Sequence, residues 1–79
     1  MPFSDKDGCQ LDGKDYYGVD IDVISEIGTW EECGTLCHNS WTCESWTINT
    51  RDNNCILKKN VEKFSDVSHA ISGDKSCYN

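Results

Sequence analysis

Six cysteines in a chain of 79 residues constrain this protein more than any other feature of it. A chain this short buries too little apolar surface to offset comfortably the entropy of ordering its backbone, so it needs reinforcement. The cysteines stand at positions 9, 33, 37, 43, 55 and 77, an even set that supplies reinforcement if they pair. Dense cysteine in a short chain belongs to an oxidising, secreted setting. The stretch TWEECGTLCHNSWTC, residues 29–43, carries three of the six together with two tryptophans and a histidine. It must be a metal site, a catalytic thiol or a covalent staple.

Metal chemistry fits the spacing poorly. A structural zinc site presents paired cysteine or histidine sets, whereas here one C-x3-C is followed by single cysteines at uneven intervals, and His38 beside Cys37 points to a different helix face. A catalytic thiol fits no better, because an even, paired set leaves none free and neither His38 nor His69 has a triad context. The carboxylates of SDKDGCQLDGKD fail as a calcium loop: with Asp5 and Asp7 as the first ligands, Cys9 falls on the third position and Gln10 where glycine is required, and no glutamate closes the loop. Asp20 and Asp22, on neighbouring outward positions of one strand, need only be a polar face. The expectation is therefore a staple, with no catalytic residue, no metal and no cofactor.

The formal charge of −7, from 14 acids against 7 bases, repels polyanions and excludes nucleic acid as a partner. No apolar segment approaches the length of a membrane span, so direct membrane insertion is not expected. No acceptor sequence for N-linked sugar is present either. Without internal repeats or low-complexity tracts, residues 1–79 read as a single domain. Met1 reads as a start placed on a segment excised from a larger multi-domain secreted protein.

Local patterns place the elements. In YYGVDIDV, Tyr17, Val19, Ile21 and Val23 alternate with polar or small residues, the period of a half-buried strand, so Asp20 and Asp22 should point the same way. Thr29 followed by Glu32 is a capping box, and the helix it starts sets Trp30, Cys33, Leu36 and Cys37 on one inward face. Asn39 is suited to end that helix in the left-handed conformation. ESWTIN and CILK read as two strands joined by the turn TRDNN, with Trp46 and Ile48 on the core side. The segment after residue 60 has Val61, Phe64 and Val67 but no clean period, and Ala70 and Ile71 suit a short closing strand.

Six cysteines allow more pairings than sequence alone ranks. Cys33 and Cys37, one turn apart, should seek different partners. The short loop HNSWT returns Cys43 to Cys37, Cys55 on the hairpin beneath the helix suits Cys33, and Cys9 and Cys77 remain to tie the ends. The expected pattern, Cys9–Cys77, Cys33–Cys55 and Cys37–Cys43, is nested.

This ordered set resembles the PAN/apple domain over nearly the whole chain: YYGVDI leading into a capped helix, WEECGTLC, the return to Cys43, CESWTIN, CILK, and AISG before the last cysteine. The resemblance implies an α+β, disulfide-rich fold with a curved antiparallel sheet packed around one helix at about residues 29–39. In the apple branch a further disulfide links the termini, where Cys9 and Cys77 stand. Around DYYGVDI and WEEC the chain is similar to the apple domains of apicomplexan micronemal adhesins, secreted proteins with tandem copies that attach parasites to host cells, some of which bind galactosides. The blood-protease apple domains would imply a protease elsewhere in the parent chain, and this chain has none of that chemistry.

The function this points to is a non-enzymatic adhesion module, stored in a secretory organelle and displayed extracellularly at the cell surface. It would bind host-cell glycans or glycoproteins, most readily galactose-terminated ones. Lys58, Lys59, Tyr16, Tyr17 and His69 form a candidate sugar site, since sugar hydroxyls take hydrogen bonds from polar side chains while an aromatic ring packs the apolar face of the sugar. That grouping assumes that the strand after Cys55 and the last strand are neighbours. The alternative is a protein-recognition module, contacting sister domains or partner adhesins through Trp41 in the loop before Cys43 and the acidic strand face. Trp30 and Trp46 belong to the core, whereas Tyr16, Lys14 and His69 are expected to face outward. The three lysines at 58, 59 and 63 read otherwise as a solvated face.

Overall fold

The computed structural model describes residues 9–77, so Asp5 and Asp7 of the rejected calcium loop lie outside the described residues. The element order is β1 (Leu11–Ile24), α1 (Trp30–His38), β2 (Ser45–Asn49) and β3 (Asn54–Asp74), with the strands arranged β1-β3-β2 in one sheet. β1 and β3 pair antiparallel from Leu11↔Ser72 at one end to Ile24↔Cys55 at the other. β2 meets β3 twice: Ser45 to Asn49 pair with Lys58 to Asn54, and again with Asp74 to Ala70. In both registers the β3 numbers fall as the β2 numbers rise, so both ladders run antiparallel.

One strand can flank both edges of another only if it curls back. The β1–β3 ribbon does so through three irregularities, between Asp12 and Lys14, Tyr17 and Val19, and Asp20 and Asp22 on β1. Such bulges bend a strand and increase its twist. Asn60, at φ 55°, marks the second of them on the β3 side. The two strands expected around CILK and AIS are thus the ends of one long strand, and the helix sits in the concave side of a curved sheet.

Thr29 caps α1 as expected, its Oγ1 accepting from the Glu32 backbone N–H at 3.3 Å. Asn39 ends the helix in the right-handed region, φ −85°, and not the left-handed one. The chain continues directly into a tight turn, with the Ser40 N–H on the Cys37 carbonyl at 3.1 Å, so no left-handed reversal is needed.

The disulfides join Cys9 to Cys77, Cys33 to Cys55 and Cys37 to Cys43, with Cα separations of 5.7, 5.4 and 5.2 Å. Five of the eight residues of the buried apolar cluster are half-cystines, alongside Trp46, Ile48 and Leu57, so the staples are themselves the core. Trp30 stacks on Trp46 at 5.9 Å. The Trp46 indole N–H donates to the carbonyls of Asp74 (3.1 Å) and Cys77 (2.9 Å), fastening the last turn of the chain to β2. Gly73 permits that packing, because a Cβ there would come within 2.5 Å of Trp46 Cζ2.

Two alternations depart from expectation. Of the four alternating residues Tyr17, Val19, Ile21 and Val23, Ile21 alone packs against the core, while the other three are about half exposed. The bulges on either side of residue 19 break the period of two, and each slip of one residue moves side chains to the other face. On β2 all of Ser45, Trp46, Thr47 and Ile48 are buried, because the strand is flanked on both edges and covered on both faces. Its polar pair is satisfied: Thr47 Oγ1 shares a hydrogen bond with Ser72 Oγ at 2.6 Å, and Ser45 Oγ donates to Asp74 Oδ1 at 3.4 Å.

Candidate ligand-binding surface

The polar surface of the curved ribbon is organised around Lys58. Its side chain is buried, 7% exposed, and its ammonium donates to Asp20 Oδ1 at 3.0 Å and lies 3.8 Å from Asp15 Oδ1. A lysine buried at a strand centre needs such counter-charges. Lys58 is therefore engaged within the sheet and is not an outward hydrogen-bond donor. Asp20, opposite it in the ladder, leans on Lys58, whereas Asp22 accepts from the neighbouring Val23 N–H, so the two aspartates do not act as a pair.

Tyr16 also departs from its expected outward position. It is 8% exposed and packs tilted against Phe64 at 6.1 Å, and burial first, then the Asp74 carboxylate, pushes its phenol above the usual tyrosine value. His69 stands at the opposite edge of β2 from Lys58 and Lys59, because the two arms of β3 are separated by β2 and are not neighbours. Its carbonyl accepts from the Thr50 N–H at 2.8 Å, and its ring nitrogen Nε2 lies 3.4 Å from the Arg51 guanidinium. Lys14 is paired with Asp66. Trp41 is 98% exposed on the loop closed by the Cys37–Cys43 bond, beside His38, Asn39, Ser40 and Lys75.

Of the six expected contact residues, the fold brings Tyr17 and Lys59 into one neighbourhood. Tyr17, Gly18, Val19, Asn60, Glu62 and Lys63 line an open groove of about 380 Å³, and Lys59 pairs with Val19 at its edge. The Tyr17 ring is 48% exposed, with the Lys63 ammonium 5.6 Å from its centre. Gly18 allows the close approach of the strands here, since a Cβ would come within 2.6 Å of the Lys59 carbonyl oxygen. Asn60, Glu62 and Lys63 therefore join the site. The signal for them was the KKNVEK run itself, in which an asparagine suited to the left-handed region interrupts a strand.

The fold has parallels among solved structures. A model of the PAN domain matches residues 9–79. The chain belongs to the PAN domain family. Among solved structures, this PAN domain is similar to the two N-terminal apple domains of Toxoplasma gondii microneme protein 4, with a TM-score of 0.76 and 21% identity over 87% of the chain, and it spans 44% of that two-domain chain. It is also similar to a PAN module from Eimeria tenella, with a TM-score of 0.65 and 21% identity, covering 98% of this chain and 95% of that one. No curated protein matches it by sequence. Domains of this family serve as adhesion modules that contact proteins or glycans. Among the described residues, no helix is long and apolar enough to cross a membrane.

Proposed function

We propose that this PAN domain is a non-enzymatic adhesion module of a secreted, micronemal-type multi-domain protein, and that it binds galactose-terminated host-cell glycans in the groove beside Tyr17. The observation that carries the reading is the half-exposed Tyr17 ring set among an amide, a carboxylate and ammonium groups. A pyranose offers one apolar face to a ring and a rim of hydroxyls that both donate and accept, which Asn60, Glu62, Lys63 and Lys59 can answer. The similarity to apple domains of a microneme protein supports the adhesin setting.

The test is an NMR titration of labelled, oxidised protein with galactose and lactose, with mannose as the control sugar. Shifts centred on Tyr17, Asn60 and Lys63 are expected for the galactosides, and Lys59→Met should keep the fold while weakening the response about threefold, as loss of one exposed hydrogen bond would. No response to either galactoside, or an equal response to mannose, rules out the galactose reading.

Protein recognition is the second reading, favoured by Trp41. An indole 98% exposed on a disulfide-closed loop is a pre-ordered contact residue. Trp41→Ala should leave the sugar titration unchanged. If it abolishes host-cell attachment by the parent protein, attachment runs through a protein contact.

A further inference from the structure

A second cleft, of about 410 Å³, shares Glu62 and Lys63 with the Tyr17 groove and is otherwise dominated by Tyr16, Phe64, Glu44 and Asp74. Three carboxylates face one ammonium, and that ammonium already stands over the Tyr17 ring. Glu44 Oε1 accepts from the Asn60 N–H at 2.9 Å and Asp74 Oδ1 from Ser45 Oγ at 3.4 Å, which leaves each carboxylate with further acceptor capacity. The Glu62 side chain makes no hydrogen bond or ion pair among the described residues.

Tyr16 is the independent observation. Its side chain is more than nine-tenths buried, yet among the described residues no group hydrogen-bonds its hydroxyl. The hydroxyl is not sealed in the interior either, because the one enclosed unpartnered side-chain oxygen among the described residues is Ser65 Oγ. A buried phenol ordinarily finds a partner, and this one opens into the acidic cleft beside Asp74. The surplus on this wall is of acceptors, so the complementary ligand is rich in donors. A sugar, which offers both, matches it less well than a guanidinium, which has five N–H donors and no acceptor. The Phe64 ring beside Tyr16 already carries a cation, the Lys14 ammonium 5.4 Å from its centre, whose charge is answered by Asp66.

We propose that this cleft receives an arginine side chain of a protein partner, held by the Glu62 and Asp74 carboxylates and the Tyr16 phenol oxygen. The net charge of −7 draws a basic partner toward it. The site shares Glu62 with the sugar groove and differs from it in its deciding residues, Tyr16 and Phe64 against Tyr17 and Asn60.

The experiment is an NMR titration of the oxidised protein at low salt with a blocked Gly-Arg-Gly peptide, and in parallel with the same peptide carrying citrulline, which keeps the shape and loses the charge. Shifts at Tyr16, Phe64 and Asp74 are expected for the arginine peptide alone, diminishing as salt is raised. Glu62→Gln, an exposed change that the fold tolerates, and Tyr16→Phe, which keeps the ring, should each weaken binding about threefold. The galactose response at Tyr17 and Asn60 should survive Tyr16→Phe, which separates the two sites. Equal shifts from the citrulline peptide, shifts centred on Tyr17, or no shifts at tens of millimolar peptide overturn the proposal.

Discussion

Replacing Cys33 and Cys55 together by alanine tests whether the staple between helix and sheet carries the fold. The bond closes a segment with a sequence separation of 22, which the chain-entropy relation values at about 3.4 kcal/mol at room temperature. Both half-cystines are fully buried in the central cluster, so truncation also removes packing, at a further cost of about 1–2 kcal/mol. A domain of this size has on the order of 4–12 kcal/mol of stability in all. The double variant should therefore lose more than a third of the stability, and all of it where the total lies at the low end of that range. The Cys37–Cys43 bond, with a separation of 6, is worth about 2.2 kcal/mol by the same relation, and its half-cystines lie in the same cluster, so its double alanine variant should lose about 1 kcal/mol less. Urea unfolding followed by tryptophan fluorescence reads both, because the stacked Trp30 and Trp46 lie beside these bonds. A Cys33/Cys55 variant that keeps the wild-type midpoint, or a Cys37/Cys43 variant that loses as much stability, would show that the longer staple does not carry the fold.

Gly73→Ala should destabilise by about 1–3 kcal/mol, since its Cβ runs into the Trp46 ring, and a melting temperature equal to wild type would contradict the contact. Lys58→Met should cost only about 1 kcal/mol, less than the usual penalty for breaking a buried pair, because the partner carboxylates of Asp15 and Asp20 are 31% and 55% exposed and can be rehydrated. Urea midpoints check it, and a failure to fold would mean that the pair is sealed more tightly than its geometry indicates. Tyr16 has a raised folded-state value, so its contribution is intact below the unfolded tyrosine value of about 10 and is lost as pH rises through the folded value. Stability measured from neutral into alkaline solution should fall above about pH 10, and Tyr16→Phe should flatten part of that fall.

The capped helix, the packing of Trp30 and Trp46 in the core and the exposure of Trp41 were legible in the chain because each depends on spacing within a few residues. The Thr29–Glu32 box acts within one helical turn, and the return from Cys37 to Cys43 spans a single loop. The pairing of β1 residues with the core was not legible. A period of two predicts a buried face only while the ladder is regular, and β1 is interrupted by bulges, one of them opposite Asn60 on β3. The continuity of β3 was hidden for a related reason. Its middle pairs with β1 alone and stays largely in solvent, so Val61 to His69 carry little apolar patterning.

The candidate site divides along the same line. That Tyr17 and a lysine-rich strand would contribute polar and aromatic surface follows from residue type. Which lysine turns inward does not, for Lys58 and Lys59 are adjacent and chemically identical, and Lys58 is drawn into the sheet by Asp15 and Asp20, far away in sequence. His69 was separated from them by the insertion of β2 between the two arms of β3. Cysteine number, helix start and charge balance were determined by the sequence itself, because they depend on composition and on contacts a few residues apart. Burial of Lys58 and Tyr16, the division of the surface into two clefts, and the company each side chain keeps were decided by the tertiary structure alone. Those properties are set by strand register and by bulges, where a slip of one residue exchanges the inside of a sheet for its outside.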